Sequence, residues 1–224
     1  MEQALNISDE IKTFYLIRHG EIKNSSGSKI AASDDKGLSG DGVLEAELLS
    51  SYFHDIKINS IFASPTSSAV QTTDIVAKNL GIPTFFKHSG LTDKKEGDWA
   101  GKTYWQIREE SMKAWEKWSK DPINFSPPNG ESVKDFVARV GRAFKDIIKN
   151  YDIGQKIILS THTGVIRALI ILSLDIPVEN FFRIEVPSGS ISRIDWTENY
   201  SILKFCSLSM ASKVYGFTEK YVLK

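Results

Sequence analysis

Two short apolar runs constrain this chain most. Thr13-Phe14-Tyr15-Leu16-Ile17 stops at Arg18-His19-Gly20, and Lys156-Ile157-Ile158-Leu159-Ser160 stops at Thr161-His162-Thr163-Gly164. An unbroken run of about five β-prone apolar residues is the pattern of a strand covered on both faces. Further strand candidates lie at 58–63, 82–88, 191–196 and 201–207. Between them the periodicity turns helical. A helix is expected over about 41–54, with Leu44, Leu48, Leu49 and Phe53 on its apolar face. A second, over about 65–80, reads with Ser64 as N-cap, Pro65 as first helical residue and Gly81 as terminator. A third runs from Ser132 to about Tyr151 on the stripe Val133, Phe136, Val137, Val140, Phe144, Ile147 and Ile148, and a fourth covers about 164–174. Strands alternating with helices imply an α/β fold. The expected form is a three-layer αβα sandwich with a mostly parallel central sheet. Ligands in such sheets bind at the carboxyl ends of the strands. That is where both histidines fall.

The 224 residues are read as one domain spanning 1–224, with an insertion at about 91–128. That stretch holds Trp99, Trp105, Trp115 and Trp118 and closes on Ser126-Pro127-Pro128-Asn129-Gly130. It reads either as a mainly helical lid or as helices packed on the body by their aromatics. Residues 23–42 read as a long polar loop.

Lys and Arg total 28, as do Asp and Glu. Such balance speaks against nucleic-acid or membrane-surface partners but leaves room for a small basic pocket. With Cys206 the only cysteine, no intramolecular disulfide or Cys-rich zinc site can form. No His-x-His, His-Glu-x-x-His or Gly-x-Ser-x-Gly occurs, which disfavours metal and serine hydrolases. The N-terminus lacks a signal pattern, and the longest apolar run, around Ala168–Leu174, is too short for a bilayer. A cytoplasmic chain is expected, with a homodimer left open.

A lone histidine after a strand is more often structural than catalytic. Two such histidines, one beside an arginine, shift the balance. Arg18 can hold an anion while the His19 imidazole approaches it. Backbone N–H groups around Thr163 and Gly164, at the start of a helix, can point at a phosphate. Histidine is a competent nucleophile toward phosphorus.

These residues carry a resemblance. Leu16-Ile17-Arg18-His19-Gly20-Glu21 resembles the signature of the histidine phosphatase superfamily, the phosphoglycerate mutase-like family. Asp35-Lys36-Gly37-Leu38-Ser39 is similar to its D-x-P-L-[ST] segment, and Ala63-Ser64-Pro65 through Thr72 to its A-S-P…R-A-x-Q-T segment. Gly97-Asp98-Trp99-Ala100-Gly101, Gly130-Glu131-Ser132, Arg139 and Ser160 through Arg167 continue the match in order. Small phosphatases of the α-ribazole phosphatase type look nearest. The resemblance implies a phosphomonoesterase with no metal and no organic cofactor, acting on a small phosphate ester. His19 would be the nucleophile, and Arg18, His162 and Thr163 would bind phosphate. An acid just before Gly97 would protonate the leaving oxygen. A phosphoglycerate mutase-type isomerase is the weaker enzymatic alternative.

The pattern departs from the family at four places. Ser68 stands where the family has a second arginine, with Lys29, Lys94 and Lys95 as loop candidates to replace its charge. Asp93 aligns with the family's acidic Glu, and Glu96 is its local rival. Thr163 replaces a common glycine, and Asn24 sits one place early for a phosphate-binding asparagine. Loss of the arginine also admits an impaired member that binds a phosphorylated ligand without turnover.

Overall fold

The computed structural model describes residues 11–23, 30, 35–152, 154–197 and 199–210. Asn24 and Lys29 lie outside these. Six strands form one sheet: β1 (Lys12–Arg18), β2 (Ser60–Ala63), β3 (Phe86–Lys87), β4 (Lys156–Thr161), β5 (Ser190–Trp196) and β6 (Ser201–Ser209). Their order is β3-β2-β4-β1-β5-β6. The first four positions are parallel, while β5 and β6 run antiparallel at one edge. The two apolar runs are therefore neighbours at the centre of the sheet, paired from Thr13↔Lys156 to Arg18↔Thr161.

Side chains alternate between two cores. Phe14, Leu16, Ile157 and Leu159 face α5 (Val133–Ile148) and α6 (Thr163–Ser173). Tyr15, Ile17 and Ile158 face Leu49 and Phe53 of the α1 segment (helix Gly40–Tyr52) and Val76 of α2 (Ser67–Asn79). This is the expected three-layer arrangement. The α5 stripe is buried as read, and Ser132 caps that helix by accepting from Asp135 N at 3.0 Å.

Two local expectations need correction. Leu44 is 45% exposed, and α1 instead buries Gly42, Ala46, Leu49 and Ser50. The helix is rotated because its first turn lies against Gly20. A Cβ on Gly20 would collide with the Gly42 backbone and one on Gly42 with the Glu21 backbone, so both positions need glycine. Likewise α2 starts at Ser67 with Thr66 as N-cap, whose side chain makes no capping bond to the helix. The Ser64 hydroxyl is engaged elsewhere, with His162.

Residues 91–128 carry a 3-10 turn at Gly97–Trp99 and two short helices, α3 (Tyr104–Glu110) and α4 (Met112–Lys120). Their aromatics pack on one another: Tyr104 stacks on Trp118 at 5.1 Å, and Trp99 lies 5.0 Å from Phe125. Beneath them is a cavity of about 40 Å³ lined by Lys94, Glu96, Trp99, Phe125 and Phe182. That is space for a few waters at most. Among the described residues no helix is long and apolar enough to cross a membrane.

Candidate active site

The pairing of β1 with β4 carries Arg18 and Thr161 side by side to the strand ends, so the next residue on each strand is a histidine. The His19 amide continues the ladder to the Thr161 carbonyl at 3.0 Å. The two imidazoles meet edge to face, with ring centroids 5.0 Å apart. Both are nearly buried, at 8% and 7% exposure.

Each ring is oriented by a partner. His19 Nδ1 lies 2.7 Å from the Gly20 carbonyl oxygen. A carbonyl can only accept, so Nδ1 carries the proton and Nε2 keeps its lone pair. Burial, then the neighbouring His162, lowers the His19 pKa to about 4, against the opposing Gly20 hydrogen bond. At neutral pH the ring is uncharged, with the Nε2 lone pair unprotonated. His162 Nε2 is 2.9 Å from Ser64 Oγ and 3.2 Å from Thr66 Oγ1, the segment leading into α2. Burial lowers its pKa as well, against the pull of Asp93 and Asp35.

Arg18 donates from Nη1 to the Val186 carbonyl at 2.7 Å, while its buried Nε has no partner among the described residues. An orphaned guanidinium donor is costly unless a ligand oxygen satisfies it. Burial lowers the pKa of Arg18, and Asp93 and Glu45 oppose the shift. The Thr163 hydroxyl donates to the same Val186 carbonyl at 3.3 Å, and its backbone lies at the first turn of α6.

Asp93 reaches the same place from the other side. Its Oδ1 occupies the space that a side chain on Gly164 would need, at the start of α6. Arg139 holds this loop from beneath. It forms a two-pronged pair with Glu131 at 2.7 and 2.9 Å and donates to the carbonyls of Gly90, Thr92 and Asp93. The rival Glu96 pairs with Lys94 at 2.7 Å and lines the cavity beside Trp99 and Phe125, still near enough to Asp93 for their charges to interact. Lys94 is thereby committed too, and Lys95 is exposed. Neither replaces the missing arginine.

Three contributors carried no role in the sequence reading. Arg167, on α6, is near enough to Asp93 for their charges to interact, and its Nε donates to the Ile184 carbonyl at 2.6 Å. Glu45 accepts from the Glu21 amide at 2.8 Å and from the Ser188 hydroxyl at 3.0 Å, which fixes the turn after His19. Asp35 accepts from both the backbone N–H and the hydroxyl of Ser68, at 2.8 and 2.7 Å. Only the position of Arg167 and Asp35 within the motifs hinted at them. Among the described residues no cluster of three or more His, Cys, Asp or Glu is arranged to hold a metal ion.

Comparison with known proteins agrees with this geometry. A model of the histidine phosphatase superfamily (branch 1) matches residues 14–207. The adenosylcobalamin/alpha-ribazole phosphatase of Escherichia coli (strain K12) is 25% identical over 190 residues, covering 85% of this chain and 93% of its own. The solved alpha-ribazole phosphatase from Shigella flexneri shares the fold with a TM-score of 0.77 at 24% identity, over 88% of this chain and 96% of that one. A mycobacterial glucosyl-3-phosphoglycerate phosphatase does so with a TM-score of 0.79 at 22% identity, over 89% and 100%. From its central strands to its closing hairpin, this chain belongs to the histidine phosphatase superfamily, branch 1.

Proposed function

We propose that the protein is a phosphomonoesterase that works through a phosphohistidine on His19. The observation that carries this reading is the buried His19 ring, with a free Nε2 lone pair and a second imidazole 5.0 Å away. The orphaned Nε of Arg18 supports it. In the first half-reaction Nε2 of His19 forms a bond to phosphorus as the ester P–O bond breaks, and Asp93 passes its proton to the leaving oxygen. In the second, water attacks the phosphohistidine and gives its proton to Asp93. The N–P bond breaks, and inorganic phosphate leaves with His19 neutral again. Arg18, His162 and the Thr163 backbone hold the equatorial oxygens throughout, and preorganised donors of this kind supply most of the stabilisation in phosphoryl transfer. The aromatic insertion at 91–128 serves as the cover over the leaving group, a small phosphorylated metabolite.

Ser68 favours a second reading, a domain that binds phosphorylated ligands without turnover, because its donors are already held by Asp35. Acid-quench trapping with a labelled phosphomonoester separates the two. The phosphatase acquires label on His19, loses it to water, and fails to label as His19→Ala. A chain that binds phosphate yet never takes up label is the binding module.

A further inference from the structure

Ser68 stands where the family resemblance has a second arginine, and the Asp35 carboxylate lies against it. Ser68 is 1% exposed, and both of its donors converge on Oδ2 of Asp35. The other Asp35 oxygen accepts from the Gly37 amide at 2.9 Å, and the Leu38 amide donates to Gln71 Oε1 at 2.8 Å. Residues 35–38 are thus strapped across the first two turns of α2.

That face of α2 belongs to the site. Thr72, one turn beyond Ser68 and on the same side, donates to the Ser68 carbonyl at 2.9 Å and accepts from the Gly20 amide at 3.1 Å. Thr66, just before the helix, contacts His162. The Asp35 carboxylate is close enough for its charge to act on both His19 and His162. Burial works to raise its own pKa, but the hydrogen bonds from Ser68 and Gly37 outweigh that and keep it ionised. A phosphoryl group seated between the two imidazoles would face this anion in a poorly solvated place, where like charges repel strongly.

We infer that Asp35 is a built-in competitor of the substrate. Its carboxylate takes the donors at the start of α2 that a phosphoryl oxygen would otherwise use, and it must leave Ser68 for phosphate to bind fully. The inference rests on the phosphatase reading. The plainer role for Asp35 is that of a helix cap, since Thr66 makes no cap bond of its own. The two roles differ in what removal of the charge does to phosphate.

Calorimetric titration of the full chain with inorganic phosphate decides between them, using wild type, Asp35→Asn and Asp35→Ala. Asparagine keeps an acceptor for the Ser68 N–H and preserves the strap, so it decides the matter if the alanine variant melts early. A competitor predicts that Asp35→Asn binds phosphate about tenfold more tightly, the change that follows when about 1.4 kcal/mol of opposition is lifted. Unchanged or weaker phosphate binding in Asp35→Asn, with label still trapped on His19 of the wild type, overturns the inference and leaves the phosphatase intact. If no variant binds phosphate and the wild type takes no label, the phosphatase reading falls and takes the inference with it.

Discussion

Asp93 and Gly164 are in such close contact that the carboxylate of one fills the side-chain space of the other. The approach sets Asp93 at the first turn of α6, beside a residue two positions after His162. Gly164→Ala should push Asp93 out of line, and because the new Cβ also sits 3.2 Å from the buried Phe136 ring, a thermal melt must accompany the kinetics. Proton transfer by a positioned acid contributes about 10²–10⁴-fold. We therefore expect kcat to fall by at least about tenfold, with KM for an aryl phosphate little changed. Steady-state kinetics check this, and an unaltered kcat would remove Asp93 from the proton path.

Arg139 is the anchor of the same loop. Arg139→Ala takes the guanidinium donor from the carbonyls of Gly90, Thr92 and Asp93 and leaves Glu131 with only the Lys95 amide. The pair is only mostly buried, at 21% and 15% side-chain exposure. The stability loss should thus be about 2–3 kcal/mol, below the range for a fully buried pair. Urea unfolding measures it. Arg139→Lys should recover little, because an ammonium cannot make the two-pronged contact.

Much of this was legible in the sequence, because the governing signals are local. Unbroken apolar strands, the α5 stripe and the glycines flanking the histidines all follow from neighbours in the chain. What was not legible depends on partners far away in sequence. Ser64 looked like a helix cap, and its hydroxyl is drawn instead to His162. Leu44 looked buried, but the contact between Gly20 and Gly42 turns α1 otherwise. Asp93 and Glu96 are both loop carboxylates within one motif. Their surroundings differ only through distant partners: Asp93 lies against Gly164, and Glu96 pairs with Lys94 beside the aromatic residues. Asp35 lay in a recognisable segment, yet nothing nearby in the chain announced that Ser68 would hold it.

Acidification should weaken the fold through the two buried imidazoles. The folded pKa of His19 is about 4, against about 6.5 for an unfolded histidine. Between these values the unfolded chain takes up a proton that the folded chain refuses, so stability falls as pH falls across that window. The loss from His19 is on the order of 3 kcal/mol and complete below its folded pKa. His162 shifts in the same direction. Glu96, raised by burial, acts in the opposite sense and trims the total. Urea midpoints at pH 7 and pH 5 should differ clearly in the wild type and less in His19→Gln. Equal slopes would contradict the burial-driven shift.

Restoring the family's arginine is expected to disappoint on its own. In Ser68→Arg the new guanidinium arrives beside the Asp35 carboxylate and pairs with it. The kcat/KM for an aryl phosphate should rise less than about threefold. Combined with Asp35→Asn, the same arginine is released toward phosphate, and a gain of at least about tenfold is expected from the added charged donor. A large gain from the single variant would show that Asp35 and arginine at this place do not interact.

The adjacency of β1 and β4 has a consequence for the life of the enzyme. Its two imidazoles come from distant stretches of chain that meet only when the middle of the sheet zips shut. Closure of so long a loop comes late in folding. Fraying of outer helices or edge strands cannot separate the rings; only rupture of the central ladder can. A nascent chain is therefore inert until its last parallel strand docks. On heating, the two rings should stay together until that ladder breaks.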